Sequence, residues 1–281
     1  MVNNPAFNRL RLLTGEKSLL KLSETNVIIF GLGGVGSWCA EALIRSGIHN
    51  LTIVDSDVVC VTNINRQVQA TTSSVGKSKV LTLRERLLDI NPQANITAIQ
   101  KIYDQTTSES FNLSSYDFVV DAIDSLSSKV DLIIQSTKAN CRVISALGAS
   151  CKMDPTRIKI GSLWQSRGCR LGRFVRKRLR KRGFTDDVTS IYSDENIPPQ
   201  GSGTLCGSSK CLCPKTAVSP DGTMETPHEW CSSKKQINGS AVHITAIYGF
   251  MIAGLIIQNV SENTAQYSPK KIKPDTIETI S

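Results

Sequence analysis

Apolar and polar positions follow two periods along this chain, and the period switches repeatedly over the first 160 residues. Residues 7–22 carry Leu10, Leu13, Leu19, Leu20 and Leu22 at roughly helical intervals and read as one helix. A short apolar run at 26–30 follows, then a helical pattern from Ser37 to Ser46 and a second strand-like run from Leu51 to Val54. Val75 to Leu88 is a strongly amphipathic helix, stopped by Asn91-Pro92. Asn95 to Ile102 and Asp117 to Ala122 read as strands, Lys129 to Ala139 as a helix, and Cys141 to Ser145 and Arg157 to Leu163 as further strands. Apolar strands separated by amphipathic helices predict a Rossmann-like, doubly wound α/β fold with a mainly parallel sheet, because parallel strands need crossover helices.

The pattern loses its period between 183 and 239, a region rich in Gly, Ser, Pro, Asp and Cys. It predicts long functional loops or an excursion from the sheet. Ala241 to Val260 is twenty residues without a charge, and about 20 apolar residues suffice to cross a bilayer. His243, Thr245, Tyr248, Gly249, Gly254, Gln258 and Asn259 interrupt it, so a buried core helix is the preferred reading over a membrane span. One domain over 1–260 is expected, containing a basic segment at 167–182 and the loop-rich region at 183–239, with a polar, frayed tail at 261–281.

Composition narrows the class. The chain has 281 residues, 40% of them hydrophobic, enough for an ample core. Met1 to Arg11 lacks the apolar stretch of a secretion signal, and the nine cysteines are scattered and odd in number. Reduced thiols in a cytoplasmic protein are expected. The net charge is +9, and residues 167–182 alone hold nine basic side chains and no acid. Such a block is the electrostatic footprint of a polyanion, and Arg173, Arg176, Lys177, Arg178, Arg180, Lys181 and Arg182 are the candidate RNA contacts. Leu171, Phe174, Val175 and Leu179 are spaced so that part of the block can dock as an amphipathic helix.

Candidate chemistry begins where the first strand runs into Gly31-Leu-Gly33-Gly34-Val-Gly36, a G-x-G-x-x-G turn opening a helix. Glycines let backbone N–H groups approach phosphate, and the helix N-terminus adds partial positive charge there. Asp55 ends the second strand, where an acid that holds ribose hydroxyls is expected. This fingerprint suits NAD, FAD or ATP alike. A triphosphate also needs cations and a magnesium-binding acid, and Arg66, Lys79 and Asp124 supply that set.

Taken together, the glycine turn, the ribose acid, Asn63-Ile-Asn-Arg66, Lys79 and an Asp at a strand end resemble the ThiF-like superfamily of ubiquitin-activating enzymes and sulfur-carrier adenylyltransferases. Gly31 to Gly47, Asp57 to Arg66, Asp121 to Ser125, Asp154-Pro-Thr156 and Thr245 to Phe250 look like the tRNA threonylcarbamoyladenosine dehydratase family within it. The resemblance implies ATP with Mg2+, activation of a carboxylate as an acyl-adenylate, and a tRNA substrate whose threonylcarbamoyladenosine beside the anticodon closes into a ring with loss of water. It implies that Gly31, Gly33, Gly34 and Gly36 approach the nucleotide, that Asp55 holds the ribose, that Asn63 and Arg66 contact phosphate, and that Lys79 neutralises developing charge. Asp124 binds Mg2+ in this reading, and Asp121 is a local anchor. Asp57 stands evenly between a nucleotide contact and a turn residue. The family's homodimers send a basic residue across to the partner's ATP; Arg9 is the candidate, with Arg11 not separable from it.

Alternatives remain open. An adenylyltransferase acting on a ubiquitin-like sulfur carrier, with a sulfur-transfer partner, needs a carrier ending in Gly-Gly and no basic block. An NAD-dependent oxidoreductase needs neither Lys79 nor Asp124, and a non-catalytic tRNA-binding scaffold needs no intact triad. The paired Cys-x-x-Cys knuckles of sulfur-carrier activators are absent from the sequence. Cys206, Cys211, Cys213 and Cys231, near His228, form an unusually spaced candidate zinc set for which loop thiols are the preferred reading.

Overall fold

The computed structural model describes residues 4–198, 217–218, 224–225 and 238–261. Seven strands, β1 (Asn26–Phe30), β2 (Asn50–Val54), β3 (Asn95–Ile99), β4 (Phe118–Asp121), β5 (Arg142–Ala146), β6 (Ile158–Ser162) and β7 (Thr189–Ser193), form one sheet in the order β3-β2-β1-β4-β5-β7-β6. All neighbours pair in parallel except β6, which runs antiparallel to β7 at the edge. Phe30 lies opposite Val54 on one side and Asp121 on the other, so β1, β2 and β4 end level with one another. The chain order reverses at β1, and such a switch point leaves a crevice beyond the carboxyl ends of the strands.

Strand alternation feeds two cores. Val27, Ile29, Leu51, Ile53, Phe118 and Val120 face one side, where α3 (Gly36–Arg45), α4 (Lys79–Ile90) and α7 (Val242–Val260) pack. Ile28, Phe30, Val54 and Val119 face the other, which α5 (Leu126–Lys138) and α6 (Arg170–Lys181) help to cover. Helices on both faces make the sheet doubly wound, as the sequence predicts. Helix α7 is long and apolar enough to cross a membrane by length and composition. Here it buries Ile244, Tyr248, Ile252, Ala253 and Ile256 in the main core. It crosses α3 so closely that a Cβ on Gly249 would stand 2.6 Å from the Val35 carbonyl oxygen.

Five elements depart from the sequence pattern, two of them only in their bounds: β3 ends at Ile99 rather than Ile102, and α5 begins at Leu126 rather than Lys129. The single helix expected over 7–22 is two, α1 (Asn8–Thr14) and α2 (Glu16–Glu24), divided by Gly15 at φ +85°. Helix α4 begins at Lys79 rather than Val75, because residues 76–78 pair with the loop after β2: Val59 N–H donates to the Lys77 carbonyl and Gly76 N–H to that of Val59, both at 2.8 Å. The region 183–239 is not merely loop, since it supplies β7, which pairs with β5 and β6. Ser190 and Ser193 are as fully buried as Ile191, so only some of the strand's buried positions are marked by apolar residues. The candidate zinc cysteines, His228 and nearly all of the polar tail lie outside the described residues. Among the described residues Cys39, Cys141, Cys151 and Cys169 are free thiols.

Candidate active site

The glycine turn joins β1 to α3 at the carboxyl edge of the sheet. Gly31 has φ +90°, and a Cβ there would lie 2.7 Å from the Ala122 carbonyl oxygen after β4. A Cβ on Gly36 would sit 1.9 Å from the Gly31 carbonyl oxygen, so this glycine closes the turn itself. A Cβ on Gly34 would lie 2.8 Å from Thr245 Oγ1 of α7, whereas one on Gly33 would meet nothing within 4 Å. Gly33 therefore borders open space, and α3 starts without a side-chain cap. Its first turn offers N–H groups to an anion.

Asp55 locks this turn. Its Oδ2 accepts from Leu32 N–H at 2.6 Å and its Oδ1 from Asp57 N–H at 2.8 Å. Lys79, the first residue of α4, places Nζ 2.7 Å from Asp57 Oδ2 and 3.8 Å from Asp55 Oδ1. Burial pushes the Asp55 carboxyl above its ordinary range, against the pull of Lys79. Burial would lower the Lys79 ammonium, but Asp55, Asp57 and Asp124 outweigh it and hold the pKa above its ordinary value. Lys79 is thus a fixed cation at the mouth of the glycine turn. Asp57 is more than a turn residue, since it holds Lys79, and it stays 43% exposed.

Segment 66–69 lies against the same turn. Trp38 Nε1 donates to the Arg66 carbonyl at 3.0 Å, Val68 N–H to Ser37 Oγ at 3.3 Å, and Gln69 Nε2 to the Leu32 carbonyl at 2.9 Å. Arg66 bonds the Thr62 carbonyl and Asn65 Oδ1. Asn63 is buried and its Oδ1 accepts from Cys60 N–H at 3.0 Å, so in this geometry it shapes the loop that presents Arg66.

The end of β4 separates two acids. Asp121 is fully buried against Lys129, with Oδ2 to Nζ at 2.7 Å, and also accepts from Ser145 at 2.6 Å. Asp124, three residues on, is exposed and acts electrostatically on Lys79. Among the described residues no group of three or more His, Cys, Asp or Glu is placed to hold a metal. A single exposed carboxylate nevertheless fits Mg2+, which is commonly held by one or two carboxylates together with substrate phosphates. Arg9 is exposed on α1, and Arg11 bonds Asn8 within the same helix at 2.9 Å. Lys129 and Gln69 are the residues that sequence patterning missed. A lysine four positions before Ile133, inside the apolar stripe of α5, was the available signal.

The basic block forms α6. Cys169 caps it, its Sγ accepting from Gly172 N–H at 3.3 Å and from Gly148 N–H at 3.2 Å just beyond β5. Gly172, Val175 and Leu179 face inward, and Arg173, Lys177, Arg178, Arg180, Lys181 and Arg182 are exposed. Arg176 differs from the expected outward row: it is half-buried and bonds Ser166. Arg178 donates to Ser127 of α5 at 2.9 Å, which ties the basic helix to the element that follows Asp124.

The ThiF family model matches residues 7–279. This chain belongs to the ThiF family. Among its relatives, this ThiF-family chain is 39% identical to the tRNA threonylcarbamoyladenosine dehydratase of Bacillus subtilis over 190 residues, 68% of this chain and 75% of that one. It is 31% identical to the Escherichia coli protein of the same name over 263 residues, 90% of this chain and 92% of the relative. The crystal structure of E. coli tRNA N6-threonylcarbamoyladenosine dehydratase, TcdA, in complex with ATP aligns with a TM-score of 0.75 at 28% identity, covering 93% of this chain and 96% of that chain.

Proposed function

We propose that this ThiF-family chain is an ATP-dependent tRNA threonylcarbamoyladenosine dehydratase. A threonine carboxylate oxygen attacks the α-phosphorus of ATP, the bond to pyrophosphate breaks, and an acyl-adenylate forms. The carbamoyl nitrogen then attacks the activated carbonyl carbon, loses its proton and expels AMP. The net change is loss of one water, with its oxygen carried off on AMP. Activation is required because a carboxylate is a poor electrophile and hydroxide a poor leaving group. Ring closure is intramolecular and needs chiefly the correct geometry.

In this reading the turn at Gly31, Gly33, Gly34 and Gly36 cradles phosphate and Asp55 orders the turn and holds ribose. Arg66 and Lys79 neutralise charge that develops on the phosphates. Mg2+ at Asp124 supplies further neutralisation of the triphosphate when bound. Arg9 belongs to a face that also exposes Leu12 (77%) and Leu13 (76%), which suits a second copy of the chain whose ATP it would reach. A cytoplasmic location fits a tRNA substrate.

The observation that carries the proposal is the seating of basic helix α6 against the start of α5, joined by the Arg178–Ser127 bond three residues along the chain from Asp124. A polyanion on α6 is then delivered to the nucleotide site. Activation of a small carrier protein, the alternative, uses the same nucleotide site but gives no reason for that helix. The test is mass spectrometry of nucleosides from threonylcarbamoyladenosine-bearing tRNA incubated with the protein, with and without ATP and Mg2+. ATP-dependent loss of one water from that nucleoside is expected. An unchanged nucleoside with protein that still binds ATP moves the assignment to a Gly-Gly-ending carrier.

A further inference from the structure

A groove of about 330 Å³ opens between α5 and α6, lined by Leu126, Phe174, Lys177, Arg178 and Lys181. Its volume is within the range of small-ligand sites, about 300–1,000 Å³. We infer that it is a subsite for one unpaired nucleotide flanking the modified adenosine, the base stacked on Phe174 and the phosphate held by Lys177 and Lys181. The inference rests on the tRNA dehydratase reading above and names how the RNA is held.

The lining has the two chemistries a nucleotide needs. Leu126 and the half-buried Phe174 give an apolar wall, and three cations stand at the rim. No acid occurs anywhere in 167–182 to neutralise them. The guanidinium groups of Arg173 and Arg170 lie 5.1 and 5.9 Å from the centre of the Phe174 ring, so the aromatic is set among cations. Basic grooves with interleaved aromatics hold single strands by stacking, whatever the base.

Position selects the occupant. Leu126 opens α5 only two residues after Asp124. Two residues span at most about 7 Å, so the Leu126 end of the groove opens close to the acid assigned to Mg2+, which suits a base that flanks the reacting nucleotide. Helix α5 also starts without a side-chain cap, adding partial positive charge at the same end. A paired base keeps both faces in its stack and cannot use the ring, whereas an anticodon-loop neighbour can.

The experiment uses the full chain and anticodon stem-loop RNA bearing threonylcarbamoyladenosine, with 2-aminopurine placed in turn at each flanking position. The expected result is a fluorescence change on binding at one flanking position, lost in Phe174→Leu and restored in Phe174→Tyr. KM for the RNA rises about tenfold in Phe174→Leu, the effect of losing one stack. Thermal midpoints check that the variants fold. Should Phe174→Leu not fold, Lys177→Ala with Lys181→Ala raises the same KM and lowers the salt slope by about 0.7 for each single-strand phosphate left without its lysine. If the wild-type chain dehydrates the RNA but no flanking position responds, the subsite is overturned and the dehydratase reading stands. If Phe174→Leu folds and keeps its KM within about twofold, the same conclusion follows. A wild-type chain that binds ATP but dehydrates no RNA overturns the dehydratase reading, and the subsite with it.

Discussion

Lys129 Nζ lies 2.7 Å from Asp121 Oδ2, and neither side chain reaches solvent. The lysine also donates to the Ala146 carbonyl at 2.9 Å, so α5, β4 and β5 meet at this pair. Removing one partner of a buried pair leaves an uncompensated charge, a loss of about 3–5 kcal/mol. Lys129→Met is expected to lower stability by that amount in urea unfolding. Adding Asp121→Asn removes the stranded charge and recovers most of the loss. An unchanged midpoint for the single variant would show that the pair does not secure the strand ends.

Asp124 gives the opposite expectation from an acid three residues away. It is exposed, so Asp124→Ala leaves the thermal midpoint close to that of the parent. Pyrophosphate release in the presence of ATP, Mg2+ and tRNA should nevertheless vanish. Retained turnover would remove Asp124 from the magnesium role.

The glycines divide in the same way. A Cβ on Gly36 collides with the Gly31 carbonyl at 1.9 Å, whereas one on Gly33 meets nothing within 4 Å. Gly36→Ala should therefore lower both stability and ATP affinity. Gly33→Ala should fold normally and lose about tenfold in ATP affinity, or 1.4 kcal/mol, because the added methyl occupies nucleotide space. Equal ATP binding by the Gly33 variant and the parent would place the phosphates elsewhere.

Much of this arrangement was legible in the sequence, for identifiable reasons. The glycine turn and Asp55 follow strand ends, where periodicity locates them, and Asp124 lies three residues beyond the end of β4. The amphipathic spacing of Val175 and Leu179 announced α6 within the basic block. Strand β7 was not legible because its buried positions include Ser190 and Ser193, which carry no apolar signal. The start of α4 was displaced by pairing between residues 76–78 and the loop after β2, an interaction that local pattern does not contain. Gln69 reaches Leu32 across 37 positions, a relation that only the fold creates.

Glu41 couples α3 to α4, accepting from Arg86 Nε at 2.6 Å and Arg45 Nε at 2.9 Å. Burial would raise its carboxyl, but the two arginines prevail and hold it below its ordinary value near 4.5. A depressed carboxylate contributes stability that is present above the unfolded pKa and is lost as pH falls through the folded one. Glu41→Gln should cost about 2 kcal/mol at pH 7. The difference from the parent should shrink once the pH drops below 4.5 and through the lowered folded value. Denaturant midpoints measured from pH 7 down to the onset of acid unfolding test this, and a gap that stays constant would refute it.

Lys79 combines both kinds of effect. Its neighbour Asp55 is already pushed up by burial, and the ammonium group opposes that rise. Lys79→Ala removes the opposition, so the folded-state pKa of Asp55 climbs further. A raised carboxyl favours the folded state while protonated, and that contribution fades as pH rises through the folded pKa. The variant should therefore lose more stability than the parent between pH 4 and pH 7. Turnover should fall about 10²–10³-fold, the usual consequence of deleting one group that stabilises developing charge. Urea midpoints across that pH range, with ATP-dependent AMP formation measured alongside, separate the two effects. Parallel stability curves would show that Lys79 does not govern Asp55, and undiminished AMP formation would show that it does not serve the phosphates.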